Sequence, residues 1–434
     1  MIIKNCISKK IITKNSIKDL SREFNNIFKK TCEDINNSQK TLHVLSKEFN
    51  FNFKIKELKN FKKFKTIAII GMGGSILGTE AIYSFLEEKI KKKVYFFNDL
   101  NAKKILDFKK KENLKRTLIF VVSKSGDTVE TLSNIFLLNI IKKNSKNIIL
   151  ISERKNNILF NLSKKLNIFF IEHKHFIGGR YSALSEVGMV PAYLMGINIS
   201  QLRSRTLKFL KGKHKIFLKE STIKLAKLLN SKKIKNLIFL NYFPEIEKFL
   251  FWVQQLIAES LGKNGKGFLP MISNVPKDHH SLLQLYLDGP KDKLFYIFSF
   301  QEKLKNKISV NKSIDLTNYL NKKKISTVKD AQIRALLNVL KLKGIPFREF
   351  KIKKINEQTL SELFSYFILE TVIIGKLAKV NPFNQPAVEQ VKNFTKKILV
   401  KNPKYNIRSS VVFFPNYTNF ILEVISSIFF SMNN

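Results

Sequence analysis

The stretch TIAIIGMGGSILG, residues 66–78, joins an apolar run to a glycine turn. Residues 66–70 predict a buried strand, and apolar residues at helical spacing predict a helix from Ser75 onward. Gly71, Gly73 and Gly74 lack a Cβ atom, so the turn can adopt a positive φ and approach a ligand closely. A strand, a glycine turn and a helix N-terminus together favour a phosphate site that includes Gly74 and Ser75.

Two other interpretations of this turn are open. A dinucleotide-binding turn requires the spacing G-x-G-x-x-G, and Ile76 stands where the third glycine is needed, so the spacing argues against NAD. The glycines could also serve chain packing alone, with no ligand.

A second polar turn follows another apolar run. Residues 117–122 (TLIFVV) predict a strand, and SKSGDT, residues 123–128, leads into a segment with helical spacing. The hydroxyls of Ser123, Ser125 and Thr128 would surround one helix N-terminus, where charge-assisted hydrogen bonds can hold a phosphate. An ordinary capping segment is the alternative, since Ser and Thr are preferred at helix starts. Two such turns in one chain favour the phosphate site.

The rest of the chain indicates an α/β protein with two doubly wound parallel-sheet subdomains and helical terminal segments. From residue 66 to about 171, five apolar runs alternate with helical stretches, and a second α/β unit starts near residue 234. We expect a helical segment at 1–59, a first α/β domain at 60–200, a second at 201–370 and a helical segment at 371–434. Ligands of such sheets bind at the carboxyl ends of the strands, where both polar turns lie.

Composition narrows the function classes. The net charge of +45 would suit nucleic acid, but only nine basic residues are arginines and no aromatic stacking module stands out, so we expect a solvated basic surface and no nucleic-acid partner. No apolar run approaches the roughly eighteen residues of a membrane span, and the N-terminus does not resemble a signal peptide. Two cysteines, Cys6 and Cys32, predict neither a disulfide framework nor a metal site and fit a reducing compartment. We expect a cytoplasmic protein.

Two further places carry polar residues that could take part in a reaction. Arg180 follows two glycines and offers a fixed positive charge, although a surface ion pair is the commoner role of arginine. Gln255 and Glu259 share one face of a predicted helix, and Glu259 lies near its C-terminus, where a carboxylate is unfavourable. A pair of Glu259 with Lys263 or Lys266 is the alternative.

Two adjacent histidines, His279 and His280, could exchange a proton near neutral pH. They make a weak metal site, because no cysteine or carboxylate stands at ligand spacing.

Six ordered segments give the chain a family resemblance. GMGGS and SKSGDT resemble a sugar isomerase (SIS) domain, and GGRYSALSEVG at 178–188 resembles the signature of the glucose-6-phosphate isomerase family. QQLIAES, HHSLLQL and NPFNQPAVEQVK follow in the family's order, so the resemblance covers roughly residues 66–392. It implies an aldose–ketose isomerase of a sugar phosphate that needs no cofactor or metal.

The resemblance also implies roles for individual residues. Glu259 would move the proton, Arg180 would stabilise the negative intermediate, and His280 would aid ring opening with Lys392, although His279 leaves that histidine assignment open. The implied substrate-binding residues are Gly74, Ser75, Ser123, Lys124, Ser125, Thr128, Gln255 and Gln385. A homodimer is implied, in which His280 serves the neighbouring subunit's site.

Two other function classes are open. A non-catalytic sugar-phosphate sensor would share both polar turns but would not need Glu259, His280 and Lys392 together. A nucleic-acid-binding protein would explain the charge, and its binding would weaken steeply with salt. Whether mannose 6-phosphate is also a substrate, and what the tail after Lys392 does, stay open.

Overall fold

The computed structural model describes residues 2–7, 15–302, 306–310 and 319–401. The strands are β1 (Ile2–Cys6), β2 (Thr66–Gly71), β3 (Lys93–Phe97), β4 (Thr117–Val122), β5 (Ile148–Ser152), β6 (Phe169–Glu172), β7 (Asn236–Asn241), β8 (Leu269–Asn274), β9 (Lys293–Phe300) and β10 (Phe347–Ile352). The helices are α1 (Asn15–Asn36), α2 (Ile55–Leu58), α3 (Leu77–Leu86), α4 (Ala102–Lys111), α5 (Val129–Leu138), α6 (Ile158–Leu166), α7 (Glu186–Met195), α8 (Ile199–Arg203), α9 (Gly212–Ser231), α10 (Glu247–Leu261), α11 (Leu283–Asp288), α12 (Ile325–Leu342), α13 (Glu357–Leu377) and α14 (Pro386–Lys401).

The first sheet is parallel throughout and has the strand order β3-β2-β4-β5-β6. Both faces are buried, because alternate residues of β2 enter different cores: Ile67 and Ile69 pack on one side, and Ala68 and Ile70 pack on the other with α4, α5 and α6. The five apolar runs are therefore strands covered on both faces by helices, which confirms the doubly wound expectation.

The second sheet has the order β1-β10-β9-β7-β8. Strands β7 to β10 are parallel, but β1 pairs with β10 in antiparallel register, Ile3 opposite Phe350. The N-terminal segment was expected to be helical, and α1 confirms that in part, but it also contributes this edge strand. Alternate residues again face two cores: Ile238 packs with α12, and Phe239 packs with α10 and α13.

The core that holds Ile67 and Phe239 is common to both sheets, and α3, α7, α10 and α13 lie within it. Helix α13 is buried along nearly its whole length, as its apolar sequence predicts. This shared core positions α10, which carries Glu259, against the first glycine turn. By compactness the chain divides into residues 1–384 and residues 385–434, and the described part of the second unit is Gln385 with α14. The domain boundaries expected above stay a prediction.

Candidate active site

The two polar turns lie side by side at the carboxyl edge of the first sheet. Strand β2 pairs with β4, with Gly71 opposite Val122, so the turn Gly73–Ser75 and the segment 123–128 leave the sheet at neighbouring positions. This confirms that both turns occupy the edge at which parallel sheets bind ligands.

The hydroxyl groups of the second turn face one another. Ser123 Oγ lies 2.8 Å from Thr128 Oγ1 and accepts a hydrogen bond from the Gly126 N–H at 3.2 Å. Ser125 Oγ is 3.4 Å from Thr128 Oγ1 and its residue is exposed. Thr128 occupies the N-cap position of α5, but its side chain does not cap the helix. The hydroxyls are thus clustered together, which an ordinary capping segment does not require.

Lys124 belongs to the same turn, and its ammonium group is engaged within the protein. Its Nζ donates to the His175 carbonyl oxygen at 2.9 Å and lies 3.5 Å from a carboxylate oxygen of Glu153. Burial is the main cause that lowers the pKa of Lys124. A role of this side chain in phosphate binding stays a prediction.

The first glycine turn packs against the backbone that carries Arg180. A Cβ atom on Gly74 would lie 2.2 Å from the carbonyl carbon of Gly179 and 2.5 Å from the Arg180 nitrogen, a distance at which only glycine fits. Gly73 has a φ of 51°, and a Cβ there would lie 2.7 Å from Gln255 Nε2. The glycines therefore bring the first turn into contact with both Arg180 and α10.

Arg180 is buried, with 2% of its surface exposed, so it is not the surface ion-pair residue weighed above. Its Nε donates to Ser260 Oγ at 2.8 Å, and its Nη1 donates to Glu259 Oε2 at 3.2 Å. Its Nη2 donates to the carbonyl oxygens of Pro382, at 2.6 Å, and Asn384, at 3.2 Å. These bonds use the fork of the guanidinium and fix its plane.

Glu259 lies in the last turn of α10, as predicted. Gln255 Nε2 donates to Glu259 Oε1 at 3.0 Å, which confirms that the two share one helix face. The carboxylate pairs with Arg180 and not with Lys263 or Lys266, whose ammonium groups bind backbone carbonyl oxygens instead. About a quarter of the Glu259 side chain is exposed, so the carboxylate is accessible while its partner is not.

Tyr181 completes this cluster, and sequence reasoning missed it. Burial raises the pKa of Tyr181, so its phenol keeps its proton and donates to the Pro382 carbonyl oxygen at 2.8 Å. Because that proton is used, Ser260 Oγ, 2.9 Å away, donates to the tyrosine oxygen. The sequence signal was the position of Tyr181 directly after Arg180.

The two histidines have different surroundings. The Tyr242 hydroxyl lies 2.9 Å from His279 Nε2, and because burial raises the pKa of Tyr242, the phenol is the donor. His279 is half-buried, and His280, in the turn Lys277–His280, is exposed. Within the described part of this chain, neither histidine forms a hydrogen bond with Glu259 or Arg180. The two histidines therefore differ in exposure and in hydrogen bonding, and the catalytic assignment of His280 stays a prediction.

Gln385 and Lys392 lie in the second unit. Pro386 is the first residue of α14, as predicted, and Lys392 projects from this helix with its Nζ 2.8 Å from Glu389 Oε1. The Lys392 side chain is half exposed. Their expected roles beside Glu259 stay predictions.

Among the described residues, no group of three or more His, Cys, Asp or Glu side chains is arranged to hold a metal ion. In the same part of the chain, none of the helices has the length and apolar character needed to cross a membrane.

Comparison with known proteins identifies relatives of this chain. A family model described as phosphoglucose isomerase matches residues 28–267. The glucose-6-phosphate isomerase of Methanocaldococcus jannaschii is 31% identical, over 88% of this chain and 96% of the relative. A probable glucose-6-phosphate isomerase of Methanococcus maripaludis is 34% identical, over 84% of this chain and 88% of the relative.

Solved structures share the fold. The crystal structure of a glucose-6-phosphate isomerase from Chlamydia trachomatis has a TM-score of 0.72 at 18% identity, with 95% of this chain and 88% of that chain covered. A hypothetical protein from Thermus thermophilus has a TM-score of 0.76 at 21% identity, with 92% of this chain and 100% of that chain covered. The family model and the two relatives at 31% and 34% identity show that the chain belongs to the phosphoglucose isomerase family.

Proposed function

We propose that this chain interconverts glucose 6-phosphate and fructose 6-phosphate, with Glu259 as the base that moves the proton. The observation that carries the proposal is the pair of a buried guanidinium, Arg180, and an accessible carboxylate, Glu259, next to the two polar turns. Membership of the phosphoglucose isomerase family supports the same reaction.

The chemistry requires one base that serves two neighbouring carbon atoms. In the open-chain aldose, the Glu259 carboxylate takes the proton from C2, the electron pair of that C–H bond forms the C1–C2 double bond, and the π pair of the C1 carbonyl moves onto O1 to give a cis-enediolate. The same carboxylic acid then returns a proton to C1, while the C2 hydroxyl passes its proton to O1 and the carbonyl group forms at C2. Arg180 supplies fixed positive charge as the enediolate oxygens become negative, and because protein oxygens already hold its guanidinium in place, that charge needs no reorganisation.

The phosphate group would be held by the two turns at the sheet edge. Backbone N–H groups near Ser75 and the hydroxyls of Ser123, Ser125 and Thr128 are the donors, and Lys124 and Gly74 belong to the same two turns. Anchoring the phosphate there fixes the position of the sugar chain relative to Glu259.

Gln255, on the same face of α10 as Glu259, offers a contact to the sugar itself. Gln255 Nε2 is occupied by Glu259, while Gln255 Oε1 is buried and has no hydrogen-bond partner in the described part of the chain. A sugar hydroxyl that donates to this oxygen would orient the substrate beside the base. Gln385 would line the same site, and Lys392 and His280 would assist ring opening.

A homodimer fits the exposed position of His280, because an exposed histidine can serve the partner's site. Mixing Glu259→Gln subunits with His280→Ala subunits tests this: each variant alone should be inactive, and exchanged hybrids should recover part of the activity, since some sites then contain both groups. Hybrids that stay inactive after proven exchange contradict the shared site.

We also propose that the chain carries out this reaction in the cytoplasm.

The direct test is a coupled assay of the purified chain with fructose 6-phosphate, in which glucose 6-phosphate is measured as it forms. Turnover that Glu259→Gln abolishes supports the proposal. Binding of the sugar phosphate without turnover would indicate a sensor instead, and a parallel assay with mannose 6-phosphate decides whether that sugar is also a substrate.

A further inference from the structure

Two lysines follow the end of α10, and each ties the chain after the helix to a different backbone segment. Lys263 Nζ donates to the carbonyl oxygen of Ser260, at 3.1 Å, and to that of Asn381, at 2.6 Å. Lys266 Nζ donates to the carbonyl oxygen of Ala378, at 2.8 Å, and to Asn230 Oδ1, at 2.9 Å. The bonds are of the same kind, but only Lys263 reaches the loop at 381–384.

The loop at 381–384 is also held from the side of Arg180. Arg180 donates to the carbonyl oxygens of Pro382 and Asn384, and Tyr181 donates to that of Pro382. Arg180 and Tyr181 contact Ser260 as well. The loop, Arg180 and the last turn of α10 are therefore joined through a small set of short bonds, and Lys263 adds a direct link between the loop and the end of α10.

We propose that Lys263 is a positioning residue for the isomerisation, which holds the loop at 381–384 against the end of α10 and so keeps Arg180 beside Glu259. The inference rests on the proposed function. Without the ammonium group, the Asn381 carbonyl oxygen loses its donor and the loop is held by Arg180 and Tyr181 alone. A loop that moves draws the guanidinium with it, and a misplacement of about 1 Å at the reacting groups lowers turnover about a hundredfold.

The charges around Lys263 make this contact sensitive to pH. Arg180 and Glu259 are the charged groups that face it. Burial is the main cause that lowers the pKa of Lys263 to about 8; Arg180 lowers it further, and Glu259 opposes the shift. The ammonium is complete below that pH and is lost as the pH rises through it. Its charge-assisted bonds to two carbonyl oxygens therefore weaken on the alkaline side.

Lys266 supplies a matched control for the experiment. In steady-state assays with fructose 6-phosphate, we expect Lys263→Met to lower kcat about tenfold to a hundredfold with KM within about twofold, because positioning at the base is lost and phosphate binding is not. Lys266→Met should keep kcat within about twofold, although both variants lose two lysine bonds. Lys263→Arg keeps the charge at high pH, so it should restore part of kcat and remove the fall of activity near pH 8.

Equal losses of kcat in Lys263→Met and Lys266→Met overturn the positioning role, as does an unchanged kcat in Lys263→Met. Should Lys263→Met fail to fold, the pH profiles decide: the same alkaline fall in the wild type and in Lys263→Arg overturns the inference. If the wild type has no isomerase activity, the proposed function itself is refuted, and that result is distinct from the outcomes that overturn the role of Lys263.

Discussion

Arg180 donates from Nη1 to Oε2 of Glu259 across 3.2 Å, although the two residues stand 79 positions apart in the chain. The guanidinium is buried and the carboxylate is partly exposed. The bonds of Arg180 to Ser260, Pro382 and Asn384 fix the plane of the guanidinium, so the pair combines one fixed cation with one accessible carboxylate.

Replacing Arg180 with lysine keeps the charge and loses the fork of donors. We expect kcat to fall by about 10² to 10³, the usual effect of removing one preorganised donor at a developing negative charge. Arg203→Lys is the matched control, because Arg203 also donates to two backbone carbonyl oxygens, of Leu184 and Ser46, outside the site. Equal kcat losses in the two variants, measured per folded protein, would contradict a catalytic role of Arg180.

The glycine turn gives a steric prediction. Gly74→Ala should abolish turnover and lower thermal stability, because the new Cβ would lie 2.2 Å from the carbonyl carbon of Gly179. Gly179→Ala is the control, since its Cβ would meet only Gly74 Cα at 3.8 Å, an ordinary contact. Circular dichroism melting curves and the coupled assay report both effects. A fully active Gly74→Ala protein would show that the close packing of the turn is not needed.

Single substitutions can distinguish the roles of His279 and His280. His280→Ala should lower kcat by about 10² or more if this exposed ring transfers a proton to the sugar. His279→Ala removes the acceptor of the Tyr242 hydroxyl, so it should reduce stability and leave kcat of the folded protein within about twofold. The reverse pattern in the assay would assign the ring-opening role to His279.

A buried ion pair that makes no described contact with Glu259 or Arg180 should govern stability alone. Arg348 Nη1 lies 2.9 Å from Glu370 Oε1, both side chains are at most 2% exposed, and Tyr366, Tyr296 and Ser221 surround the pair. Glu370→Gln leaves the guanidinium without its counter-charge and should lower the free energy of unfolding by about 3–5 kcal/mol. Asp99→Asn, in an exposed pair with Lys104, should change it by about 0.5 kcal/mol or less in urea titrations. Equal losses of unfolding free energy in Glu370→Gln and Asp99→Asn would contradict a stabilising role of the buried pair.

Sequence patterns predicted the parts of the fold that rest on local apolar periodicity. The strands of the first sheet, the turns at their ends, and the face shared by Gln255 and Glu259 all follow from spacing within short windows. Strand β1 was missed because its residues, IIKNC, have no clear alternation, and its place depends on β10, far along the chain. Strand β8 was missed as well: it is an edge strand, with Leu269 and Met271 exposed.

The support around Arg180 could not be predicted for a different reason. Its partners at Pro382 and Asn384 are backbone carbonyl oxygens, which every residue carries, so no side-chain pattern marks them. The same holds for the bonds of Lys263, whose sequence position suggested only an ion pair with Glu259.

The central claim is that Glu259 moves the proton between C2 and C1. The isosteric change Glu259→Gln removes the base and should lower kcat by at least about 10² to 10⁴, while sugar-phosphate binding persists through the two turns.

The most direct measurement is the deuterium content of the product formed by the wild type in heavy water. A carboxylate that carries the proton exchanges part of it with solvent, so we predict partial deuterium in the product, with transfer of the remaining original hydrogen, and loss of both with turnover in Glu259→Gln. Complete retention of the original hydrogen would indicate hydride transfer, and a fully active Glu259→Gln protein would contradict the role of Glu259.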